Sequence, residues 1–162
     1  MKNKILILID DDKKNRENFK WNLENGLNYE VIDYRDLKTF KEDLHRRKFI
    51  TENKTVFVFI LDIMLAQELE ESALDAPVSK IKIRTDIEQK KYREDDLGLR
   101  FARDIREGIY ESSGIPKESP IIFFTCRQNN FIILSIKELN AKYFTKPQPL
   151  DVIHNAIEDI LK

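Results

Sequence analysis

Short apolar runs separated by amphipathic stretches constrain this chain more than anything else in it. ILILI stands at 5–9, VFVFIL at 56–61, IIFF at 121–124 and YFT at 143–145, with YEVIDY at 29–34 between the first two. β-Branched and aromatic runs of this length, alternating with helical periodicity, are the pattern of βαβ units around a parallel sheet buried on both faces. The class expected is therefore α/β, a doubly wound sheet of five parallel strands. Strands are placed at 4–9, 29–34, 56–61, 121–124 and 142–145, and the most apolar of them, 56–61, belongs in the middle.

The helices follow from spacing. Phe19 and Leu23 mark a helix from Lys13 to Gly26, and Leu37, Phe40 and Leu44 mark one over 36–47. Leu97, Phe101, Ile105 and Ile109 form a stripe at four-residue spacing, and an apolar helix runs from after Asn129 to near Asn140. The last helix spans 150–161, with Ile153, Ile157 and Ile160 turned inward. Between Asp62 and Leu97 the pattern breaks, so an insertion of mixed charge is expected at about 66–95. Within it Lys80-Ile81-Lys82-Ile83-Arg84 alternates cation and hydrophobe.

Four of the runs end in a polar residue. Asp10 and Asp11 follow the first, Asp62 the third, Thr125 the fourth and Lys146 the fifth. The carboxyl ends of parallel strands share one edge of an open sheet, so these side chains can converge there. Three carboxylates brought together repel one another unless a cation sits between them. Magnesium suits such a set, because it takes oxygen ligands and keeps several of its waters. A metal, an ammonium and a hydroxyl are together what phosphoryl transfer requires, since that chemistry is positioning and charge neutralisation. Asp62 is then the nucleophile, because a carboxylate can attack phosphorus without a general base.

With these residues in this order, over about 3–65 and 96–162, the chain resembles the response-regulator receiver domains of two-component signalling. The resemblance implies the flavodoxin-like strand order 2-1-3-4-5, with the insertion between strand 3 and helix 3. It implies that Asp62 is the phosphoacceptor, that Asp11 binds magnesium directly and that Asp10 holds the metal's waters. The backbone carbonyl of Met64 would be a further ligand. Thr125 and Lys146 would bind phosphoryl oxygens, and the Lys146–Pro147 peptide would be cis. Thr125 and Tyr143 occupy the switch positions, while Met64 and Arg127 flank the path of the hydrolytic water and would tune the phosphoryl lifetime. Cys126 stands where the family favours a small residue. Two departures are the insertion itself and Ala66, where a proline is usual.

The partners implied are a histidine kinase or phosphotransfer protein upstream and a protein target downstream. Phe131, Ile132, Ile133, Leu134, Ile136 and Leu139 cover more of helix 4 than a one-sided helix needs. That surplus suggests a homodimer or partner face on helix 4, strand 5 and helix 5.

At 162 residues the chain fits one domain over 1–162. A formal charge of −1 offers no broad positive field for nucleic acid, so no direct contact with it is expected. The first apolar run meets three aspartates, which excludes a signal-peptide core or a membrane span there. The lone Cys126 excludes an internal disulfide and suits a reducing compartment, so a cytoplasmic location is expected. His45 and His154 lie far apart and are read as helix-surface residues. A receiver-like module that is never phosphorylated is the main alternative. A phosphohydrolase of the haloacid dehalogenase type, using Asp10 and Asp12, is a weaker one.

Overall fold

The computed structural model describes residues 3–27, 29–47, 55–62, 97–126, 130–146 and 148–162. Five parallel strands, β1 (Asn3–Ile9), β2 (Glu30–Tyr34), β3 (Thr55–Leu61), β4 (Ile121–Thr125) and β5 (Lys142–Thr145), form one sheet in the order β2-β1-β3-β4-β5. Among the described residues the helices are α1 (Lys13–Leu27), α2 (Leu37–Arg47), α3 (Leu97–Arg106), α4 (Asn130–Glu138) and α5 (Leu150–Leu161), with a 3-10 turn at Glu111–Ser113. The expected class, strand order and central β3 all hold. The insertion expected at 66–95, together with Met64, Arg127 and Pro147, lies outside the described residues.

Successive strand residues point to opposite faces, and each face has its own core. Leu6, Leu8, Val58, Ile60, Ile122 and Phe124 pack with Phe19 and Leu23 of α1 and with Ile153 and Ile157 of α5. Ile7, Ile9, Phe57, Phe59, Leu61 and Phe123 pack on the other face with α2, α3 and α4. Phe40 anchors that second core. Its ring meets Tyr34 and Phe101 at 5.3 Å and Phe59 at 6.2 Å, all edge to face, the arrangement that ring quadrupoles favour.

Helix ends are set by local chemistry. Asp12 caps α1, its Oδ1 accepting from the amides of Lys14 (2.9 Å) and Asn15 (3.1 Å). Asp36 caps α2 in the same way, accepting from the Thr39 amide and hydroxyl, each at 2.7 Å.

The stripe expected to carry α3 on to Ile109 stops short, for α3 ends at Arg106 and Ile109 is 58% exposed. Gly108 takes φ 78° and closes a Schellman turn, with Gly108 N–H donating to Ile105 O and Ile109 N–H to Asp104 O. The helix thus unwinds one residue before the periodicity would have buried Ile109. Asn140, at φ 49°, ends α4 with the same pair of bonds, to Lys137 O and Ile136 O.

Arg106 joins these two ends. Its Nε donates to Leu139 O at 2.7 Å, and one terminal nitrogen donates to Lys117 O and Ser119 O at 2.7 and 2.8 Å. One guanidinium thereby satisfies carbonyls at the C-terminus of α4 and in the loop entering β4, groups that helix and strand bonding leave over.

Burial pushes the Asp36 carboxyl up, but the Thr39 bonds and neighbouring Arg35 outweigh it and hold the group below its ordinary value. A carboxylate depressed in this way stabilises the fold above the unfolded value, and its contribution is lost as pH falls through the lowered one. Asp36→Ala is therefore expected to cost about 1 kcal/mol at neutral pH. In urea denaturation the gap from wild type should stay full above pH ~4 and close only well into acid.

Candidate functional site

Register brings the polar strand ends together. Ile9 pairs with Leu61, so Asp10 and Asp62 follow side by side, and the Asp62 amide donates to Ile9 O at 3.2 Å. Thr125 pairs with Thr145, and the next amide, that of Lys146, donates back to Thr125 O at 2.9 Å. Residues separated by up to 136 positions in the chain thus meet at one edge.

Asp10, Asp11 and Asp62 each offer a carboxylate oxygen, and these oxygens all lie within 4.8 Å of one another. Lys146 Nζ donates to Asp10 Oδ2 at 2.8 Å and to Asp62 Oδ2 at 2.7 Å. The pairing is largely shielded, with side-chain exposures of 12% for Lys146, 4% for Asp10 and 12% for Asp62. The ammonium also lies 5.6 Å from the centre of the Phe124 ring, within cation–π range. Burial pushes Lys146 down, but its bonds to the two aspartates outweigh this and leave it raised, so it stays cationic. The Asp11 carboxyl is raised by burial and then by the charges on Asp10 and Asp62, against its own backbone N–H and Lys146.

Thr125 is fully buried at the end of β4. Tyr143 pairs with Phe123 and packs, partly buried, against the core under α4. Cys126 is exposed and in no disulfide. Among the expected site residues, Asp10, Asp11, Asp62 and Lys146 are brought into one cluster, and Thr125 stands on the same strand edge.

Two residues nearby had drawn no expectation for the roles they play. Asp12, third in the acidic run, is outside the carboxylate cluster because its side chain caps α1. Arg16 reaches back from the first turns of α1, donating to Asp10 O at 2.6 Å and Asp11 O at 3.0 Å, while its Nε lies 3.5 Å from Asp33 Oδ2. It clasps the backbone that carries both aspartates. A basic residue one turn into the helix after an acidic strand end was the available signal.

The donor set is all oxygen and clustered, and so it fits a divalent cation of the magnesium type.

No protein-family model and no curated protein matches this chain. Solved structures do. The response regulator DrrB of Thermotoga maritima, described as an OmpR/PhoB homolog, aligns over 99% of this chain at 20% identity and TM-score 0.60, and this chain spans 53% of that one. The BeF3-activated DrrB receiver domain aligns over 99% of this chain and 98% of its own length, at 20% identity and TM-score 0.59. A signal receiver domain from Clostridium thermocellum reaches TM-score 0.62 at 22% identity, covering 98% and 97% of the two chains. The fold is that of receiver domains. No described helix is long and apolar enough to cross a membrane.

Removing the amine would strand two shielded carboxylates beside a third. Lys146→Met is expected to destabilise the chain by about 3 kcal/mol in chelator, and Asp62→Asn added to it should recover a good part of the loss. Denaturant melts of the single and double variants would check this.

Proposed function

We propose that this chain is a receiver that accepts a phosphoryl group on Asp62 and signals through a partner protein. The observation that carries the reading is the Asp10–Asp11–Asp62 cluster with Lys146 bonded into it, on a sheet whose fold is that of receiver domains. The unit proposed is 1–162, with 66–95 as an insertion and the protein working in the cytoplasm.

In this reading an Asp62 oxygen attacks phosphorus of a phosphohistidine donated by a kinase or phosphotransfer protein. The P–O bond forms as the P–N bond breaks, and the imidazole leaves with the electron pair. Asp11, Asp62 and the Met64 carbonyl would hold magnesium, with Asp10 on its waters; when bound, the ion neutralises charge on the phosphoryl oxygens. Lys146 gives up its bond to Asp62 for a phosphoryl oxygen, and Thr125 donates to another. Because Lys146 is held as a cation by Asp10 as well, it stays in place through this exchange. Hydrolysis of the acyl phosphate returns Asp62, and Met64 with Arg127 would slow it by obstructing water.

Two competing readings are weakened by geometry. A dehalogenase-type phosphohydrolase needs its second aspartate in the site, whereas Asp12 caps α1. A module that is never phosphorylated has no use for three carboxylates crowded at the cost of mutual repulsion.

Incubation with acetyl phosphate and magnesium, followed by intact mass, is expected to show one added phosphoryl group in wild type and none in Asp62→Asn. An Asp62→Asn variant that labels as wild type would refute the reading.

Output is proposed to run through Thr125 and Tyr143 to the face of α4, β5 and α5, where added charge favours one of two packings. Ile132 and Ile136 of α4 are buried in the core, while Phe131 and Leu134 stand 57% and 59% exposed. Those two side chains are the apolar surplus read from the sequence, and a homodimer or target would cover them. Phe131→Ser with Leu134→Ser is expected to abolish any concentration-dependent association of the phosphorylated chain in sedimentation, with labelling of Asp62 unchanged.

A further inference from the structure

At the rim opposite the aspartates, where β4 and β5 begin, the chain forms a pocket of about 520 Å³. A hollow of that size suits a small molecule, bound by an apolar wall and a few placed polar groups. Pro120, Ile121 and Ile160 supply the apolar wall. Arg106, Lys117 and Lys142 supply three cations against the one carboxylate of Glu118, an excess of two positive charges. Among the described residues none of these three cations is in a salt bridge. Burial lowers the Arg106 guanidinium, and the charge of Glu118 acts against this.

The backbone that carries these cations is fixed in advance. Pro116 to Ser119 is a closed turn, the Ser119 amide and hydroxyl both donating to Pro116 O, at 3.0 and 2.6 Å. Lys117 stands in that turn with its carbonyl held by Arg106. Lys142 opens β5, in register with Ile122. Arg106 itself is anchored through Leu139 O, Lys117 O, Ser119 O and, at 3.4 Å, Asn140 O. Four bonds from five guanidinium N–H groups leave one donor over. A ligand therefore has only the two lysine side chains to order, which lowers the entropic cost of binding.

We propose that this pocket binds a small organic dianion, a phosphate or phosphonate group on an apolar body, with the anion on Arg106, Lys117 and Lys142 and the body against Pro120, Ile121 and Ile160. Such a group carries roughly two negative charges and three acceptor oxygens, which matches the surplus charge and gives each cation one oxygen. The apolar wall distinguishes an organic ligand from the bare ion, because it has nothing to offer the latter. The site lies at the far end of the sheet from Asp62 and does not depend on its being phosphorylated.

Titration of phenylphosphonate, which has no transferable phosphoryl group, into the full chain with magnesium chelated tests the proposal. Saturable shifts are expected in the amide resonances of Lys117, Glu118, Ile121 and Lys142. Lys117→Glu with Lys142→Glu is expected to weaken binding about tenfold, and Glu118→Gln to tighten it. Inorganic phosphate, lacking the apolar body, should bind about fivefold more weakly than phenylphosphonate. Absence of saturable shifts, equal affinity in wild type and the double lysine variant, or equal affinity for the two anions would each overturn the proposal. So would shifts confined to Asp10, Asp62 and Lys146, because the anion would then sit at the phosphoryl site. Both lysines are exposed, so melting and acetyl phosphate labelling of the double variant should match wild type and separate loss of this pocket from loss of the fold or of phosphoryl chemistry.

Discussion

Everything at the carboxyl edge of this sheet turns on one ammonium placed between two carboxylates. Lys146 bonds both Asp10 and Asp62 at under 3 Å in largely shielded surroundings. Without it the edge would hold one buried carboxylate, a second that is largely shielded and a third beside them, an arrangement that costs several kcal/mol in a folded protein. With it Asp10 and Asp62 are each paired, while the Asp11 carboxyl stays raised, by burial first and then by their charges. The three carboxylates, each with an oxygen within 4.8 Å of the others, fit a further cation of the magnesium type.

The geometry behind that contact is a matter of sheet register. β1 and β3 run level at their carboxyl ends, and β4 and β5 do the same one step along, so β1, β3 and β5 deliver their next residue, and β4 its last, to one rim. Two apolar cores, one on each face, fix that register, because a slip of one residue would turn every buried strand side chain to the wrong face. Packing and chemistry are therefore not separable here, since the cores that stabilise the domain also set the distances at its edge.

Much of this was legible beforehand, for identifiable reasons. A strand-final polar residue needs only the period of two and the sheet's direction to be placed, so Asp10, Asp62, Thr125 and Lys146 followed from the apolar runs that precede them. Strand order came from family resemblance, because local pattern does not say which strands are neighbours. Ile109 went astray because a four-residue spacing looks helical until the conformation of Gly108 is known. Arg16 and Arg106 escaped notice because both act on backbone carbonyls, and a carbonyl in need of a donor leaves no mark in the one-letter code. Asp12 shows the converse, where three identical neighbours divide between a site and a helix cap according to the turn of the chain.

Arg106 has a mechanical effect as well. By gripping Leu139 O and the loop that enters β4, it anchors α4 by its final turn, at the rim of the sheet farthest from Lys146. Ile132 and Ile136 seat the same helix in the core, so its last turn is held twice over, by apolar packing and by a charged clasp.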